Sequence, residues 1–116
     1  MTADIFAERL AKVRDRFVAA LPSKIEENDA ALPLVSGNGP ASVEAVAETY
    51  RRLHGIAGTG PTIGLAATGT AAREAEAVLI KAYRGRRALT TDETTLLRDA
   101  LLALRRAAQG ELQTSK

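Results

Sequence analysis

Apolar residues recur along this chain at intervals of three and four, and the interruptions between the runs divide it into helical segments. Phe6, Leu10, Val13, Phe17 and Leu21 trace one face of an amphipathic helix. Thr2 is placed to cap that helix, and Asp4 falls in its first turn. Pro22 and Ser23 predict a break, after which Ser23 and Glu26 form a capping-box pattern opening a short second segment through about Leu32. Pro33 and the run Ser36-Gly37-Asn38-Gly39 supply turn chemistry, and Pro40 suits the first turn of a new helix, where its missing N–H costs little. From Pro40 to Thr59 the residues Val43, Val46, Tyr50, Leu53, Ile56 and Ala57 share a face, and Gly60-Pro61 ends the pattern. Leu65, Ala72, Leu79 and Tyr83, with Ala75 and Ala82 beside them, make the next stripe, expected to stop at Gly85. Beyond Arg84-Gly85-Arg86-Arg87, Thr90 and Glu93 predict a second capping box, opening a helix with the seam Leu97, Leu101, Leu104 and Ala108; Gly110 and a polar tail follow.

Such stripes are buried together when the helices pack on one another, so the expectation is an all-α antiparallel four-helix bundle with an additional short N-terminal helical segment. At 116 residues and 46% hydrophobic content, the chain has material for one core, read as a single domain over 1–116. Aromatics make up only 3%, which disfavours pleated sheets further. The sequence has no cysteine and one histidine, which excludes disulfides, thiolate chemistry and multi-histidine metal clusters, and no metal is expected on the chain. No stretch reaches the ~20 apolar residues of a membrane span, so a soluble, cytoplasmic protein without membrane contact is expected. Sixteen basic against 14 acidic residues leave +2, a balance that demands no nucleic-acid partner. Arg84, Arg86 and Arg87 read as a solvated helix end favoured by the C-terminal dipole.

The histidine is where chemistry concentrates. Taking about 100° per residue, His54 falls about 70° from the centre of the apolar stripe of its helix, at the stripe's edge and near the surface. One turn away lie Tyr50 and Arg51 on one side and Ala57 and Gly58 on the other. Glycine inside a helix costs roughly 1 kcal/mol relative to alanine, yet Gly55, Gly58 and Gly60 gather around this residue, as expected where something must approach the backbone closely. A neutral imidazole offers one nucleophilic nitrogen while the other keeps a proton that can be held by a hydrogen bond. Phosphoryl transfer asks for in-line access and nearby positive charge, and Arg51, three residues before His54, is the candidate neutraliser.

The run His54-Gly55-Ile56-Ala57-Gly58-Thr59-Gly60-Pro61-Thr62-Ile63-Gly64-Leu65 resembles the motif of the histidine-phosphotransfer family, His-x-Leu/Ile-Lys-Gly followed by a second glycine. The register agrees at His54, Ile56, Gly58 and Gly64, and Ala75-Glu76 stands where that family often has Leu-Glu. The resemblance implies a four-helix bundle whose exposed histidine accepts and donates a phosphoryl group, exchanging it with receiver-domain aspartates of response regulators and with a histidine kinase or hybrid kinase. It implies a phosphocarrier more than a self-sufficient enzyme, with no cofactor of its own and Mg²⁺ held by the receiver partner. His54 is then the phospho-acceptor, with Arg51, Ala57 and Gly58 in support and Ala47, Arg51, Ile56, Gly58 and Leu65 as the docking rim of a monomer. Ala57 departs from the family's lysine. Either Arg51 or Arg52 replaces that cation, or transfer is slower, or the chain is a docking module that binds receivers or kinases without accepting phosphate. A small basic bundle binding RNA or DNA is the remaining class, marked by steep salt dependence.

Overall fold

The computed structural model describes residues 2–114. Its elements are α1 (Thr2–Val35), α2 (Pro40–Thr59), a short 3-10 turn (Pro61–Ile63), α3 (Ala66–Gly85) and α4 (Thr91–Thr114). The four helices pack about one core. α2 lies against α3, α3 against α4, and α1 against α2 and α4. Leu21, Leu53, Ile56, Leu65, Leu79, Leu97, Leu101 and Leu104 are fully buried between them. Each such side chain contributes about 1.5–3 kcal/mol on burial.

α1 is one helix of 34 residues, not two segments divided at Pro22. Pro22 and Pro33 both lie inside it, and the Ser23–Glu26 capping box has no helix start to cap. The two internal prolines cost about 3 kcal/mol each, but continuing the helix keeps Phe17, Leu21, Ile25, Ala31 and Val35 on the buried side, and at about 1.5–3 kcal/mol for each of the large side chains that burial offsets the cost. The cap expected of the Thr2 side chain lies outside the described residues. At 1.5 Å per residue α1 is about 51 Å long against about 30 Å for α2, which accounts for the 54 Å long axis of the molecule. Its first turns extend past the core, leaving Ile5, Phe6 and Val13 exposed.

The remaining boundaries follow from local chemistry. Gly39 takes φ 93° ahead of Pro40, and the left-handed Gly64 (φ 89°) turns the chain from the 3-10 segment into α3. Gly60 and Gly69 let these segments close: a Cβ on Gly69 would stand 2.5 Å from Pro61 Cδ, and one on Gly60 3.0 Å from the Leu65 carbonyl. α3 ends at Gly85 as expected, although Gly85 is itself still helical and the left-handed position falls on Arg86 (φ 51°). The Thr90–Glu93 box forms as the sequence predicts, Thr90 N–H donating to Glu93 Oε1 at 2.9 Å and Glu93 N–H to Thr90 Oγ1 at 3.1 Å. Gly110 does not stop α4. The helix runs on so that Glu111 accepts the N–H groups of Ala67 (3.1 Å) and Thr68 (2.6 Å), capping α3 from across the molecule. No helix among the described residues is long and apolar enough to cross a membrane.

Candidate functional site

α2 buries Ala45, Val46, Thr49, Leu53, Ile56 and Ala57 at the three- and four-residue spacing of one helix face, which turns His54 outward. The His54 side chain is 69% exposed. One edge of the ring is nevertheless fixed. Nδ1 lies 2.5 Å from Oε2 of Glu76 in α3, and among the described residues nothing bonds Nε2. A carboxylate only accepts, so Nδ1 carries the proton and donates it. The lone pair of a neutral ring is then on Nε2, facing solvent.

Glu76 itself is unusual, because its side chain is only 11% exposed within a helix face otherwise made of Ala72, Ala75 and Leu79. A buried carboxylate is costly unless it is paired. The His54 imidazole is its hydrogen-bond partner. Tyr50, one turn before His54, lies near-parallel to the imidazole with centroids 5.9 Å apart and stacks at 4.1 Å on Tyr83 of α3. Burial first, and then the neighbouring Glu76 carboxylate, push the Tyr50 phenol above its ordinary pKa. The ring is therefore oriented by a carboxylate at its edge and an aromatic pair at its face.

No family model, curated protein or solved structure matches this chain. The geometry alone therefore weighs the residues singled out by sequence. Ile56 and Leu65, expected on the docking rim, are 0% and 1% exposed and belong to the core, because α2 packs against both α3 and α1, which a single-helix projection does not show. Ala57 is buried as well, at 2%. Arg52 is committed elsewhere, with Nε 3.0 Å from Glu27 and Nη1 donating to Asn28 Oδ1 at 3.0 Å, so it ties α2 to α1. Arg51 is exposed and reaches back to Glu44 at 4.0 Å, two turns before it. Ala47 is half-buried, and Gly55 and Gly58 are exposed with open space where a Cβ would stand.

Two participants escape a reading of periodicity. Glu76 enters the sequence argument only through the family resemblance, since spacing within one helix says nothing about a partner 22 residues away. Arg73, one turn before Glu76, places Nη2 3.4 Å from the Ala57 carbonyl, bringing a guanidinium to the turn that follows His54. Among the described residues, no cluster of three or more His, Cys, Asp or Glu side chains can hold a metal ion.

Proposed function

We propose that the chain is a histidine-phosphotransfer protein, an antiparallel four-helix bundle working in the cytoplasm as a monomer, in which Nε2 of His54 accepts a phosphoryl group from one signalling protein and passes it to another. The observation that carries this reading is the exposed ring whose Nδ1 is held by the buried Glu76 carboxylate while Nε2 is open. His54 facing Glu76, and Tyr50 facing Tyr83, fit α2 and α3 running in opposite directions.

In the forward step the Nε2 lone pair attacks phosphorus of a receiver's aspartyl phosphate. The N–P bond forms as the P–O bond to the carboxyl group breaks, and the aspartate leaves as a carboxylate. No proton has to leave the ring. The positive charge that develops on it lies beside Glu76, which stabilises it as a charge-assisted hydrogen bond does. Mg²⁺ belongs to the receiver partner, and a histidine kinase or hybrid kinase is the other exchange partner. Arg73 supplies the cation that Ala57 lacks, reaching the phosphate from α3 where the family motif has lysine on α2.

The buried Ala57 also favours a second reading, a docking module that binds receivers or kinases without accepting phosphate. Incubation with phosphorylated receiver domains separates the two. The first reading expects an acid-labile, base-stable label and a mass increase of one phosphoryl group on His54, absent from His54→Gln. Label retained in that variant overturns the assignment, and binding without label in the wild type supports the second reading.

A further inference from the structure

A groove of 470 Å³ opens between α2 and the end of α3, beside the site but distinct from the imidazole. Arg51, Arg84 and Arg86 line it together with Tyr83, and Glu44 is the one carboxylate among its walls. Arg84 and Arg86 make no ion pair with any described residue. Arg87 is different, since both its terminal nitrogens bond Glu93. The groove thus has three guanidinium groups against one carboxylate, at a place where the fold itself uses little of that charge.

Arg86 adds a second observation. It occupies the left-handed position that ends α3, with φ 51°, although a glycine stands immediately before it at 85 and would take that conformation without cost. An arginine held there is strained by its backbone, and it lines the groove.

The groove is also within reach of anything that covers His54. A standard protein interface occupies about 800 Å² per partner, a disc of roughly 16 Å radius. Ala47, on the groove wall, is about 10 Å along the helix axis from His54 and Arg51 only about 4.5 Å. Tyr83, also in the wall, stacks on the same Tyr50 that flanks the imidazole.

We infer that this arginine-lined groove is the selectivity site of the phosphotransfer reaction, seating an acidic segment of the protein that exchanges phosphate with His54. The inference rests on the phosphotransfer reading and adds to it the chemistry by which a partner is chosen. Opposite charge across such a contact steers encounter and rejects partners carrying the wrong sign. Carboxylates entering the groove find forked donors from two helices.

The test measures transfer from phosphorylated receiver domains over a range of receiver concentrations, for wild type, Arg84→Glu/Arg86→Glu and Arg86→Gly. The double variant is expected to raise the half-saturating receiver concentration about tenfold or more, leave the saturating rate within about twofold, and flatten the dependence on salt. Arg86→Gly raises Tm, because it relieves the backbone, yet weakens the receiver interaction, an opposition that a merely structural residue does not produce. Labelling of His54 by phosphoramidate stays at the wild-type level in both variants. An unchanged half-saturation, or a loss confined to the saturating rate, overturns the groove as the selectivity site. Should no receiver label His54, the phosphotransfer reading fails by itself. The groove is then judged by adding hexaglutamate, with hexalysine and a short oligonucleotide as controls, to ¹⁵N-labelled full chain. Shifts of the Tyr83 and Arg84 amides with hexaglutamate alone support an acidic occupant; no shift, or shifts only with an oligonucleotide, overturn it.

Discussion

Replacing Gly55 or Gly58 by alanine is expected to make the chain more stable and at the same time a poorer acceptor of phosphate from a protein donor. Both glycines are helical and exposed, and an added Cβ at either position meets nothing within 4 Å. The gain is therefore the intrinsic helix preference, about 1 kcal/mol at Gly55 and about half that at Gly58, which sits in the last turn of α2. At about 2.1 cal/mol/K per residue, 1 kcal/mol raises Tm by roughly 4 °C in a chain of this length. Thermal unfolding followed by circular dichroism measures it. Gly69→Ala serves as the opposite control. Its Cβ would stand 2.5 Å from Pro61 Cδ, and such overpacking costs about 1–3 kcal/mol. In transfer assays the two surface variants should label normally with phosphoramidate and slowly with a phosphorylated receiver, because only the receiver has to bring its own backbone against α2. The reasoning is refuted if either variant lowers Tm, or if receiver and phosphoramidate labelling respond alike.

Three further outcomes are expected. Glu76→Gln keeps the shape of the site but removes the charge beside the ring; losing a charge-assisted bond of about 1.5–3 kcal/mol slows single-turnover transfer roughly 10- to 100-fold, and ¹⁵N ring shifts should show protonated Nε2 gaining population. Arg73→Gln should slow His54 phosphorylation about tenfold, or about 1.4 kcal/mol, and more than Arg51→Gln does; the reverse ranking would assign the cation to Arg51. Hydrogen bonds from Arg87 and then from the Thr90 N–H hold the Glu93 carboxyl down at about 2 from an ordinary 4.5. Its stabilising contribution is thus complete above about pH 4.5 and is lost as pH falls towards 2, roughly 1–2 kcal/mol after allowing for partial exposure. Glu93→Gln should remove that part of the acid transition in a urea titration series.

Much of this arrangement is legible in the sequence, because short-range rules decide it. The Thr90–Glu93 box, the Pro40 start, the stripe of α3 and the outward direction of His54 all depend on residues within one or two turns of each other. What misleads is whatever a second helix decides. Pro22 reads as a break until Leu21, Ile25 and Val35 are seen to be buried together, and their burial is set by α2 and α4. Ile56 and Leu65 lie within an apolar stripe whose width is visible but whose covered side is not, so they pass for a rim when they are core. Arg52 and Arg51 are adjacent and look equivalent, yet Glu27 and Asn28 of α1 engage one and leave the other exposed. The same limit hides Glu76: nothing local says that a carboxylate in an alanine-rich face will meet an imidazole on its neighbour.

Because the ring is carried by α2 and its anchor by α3, which ring nitrogen is held is a property of tertiary structure. A chain whose helices survive but whose side chains no longer interlock would keep its far-ultraviolet dichroism and lose the tautomer. On the phosphotransfer reading, competence to carry phosphate should therefore vanish ahead of helicity under mild denaturant.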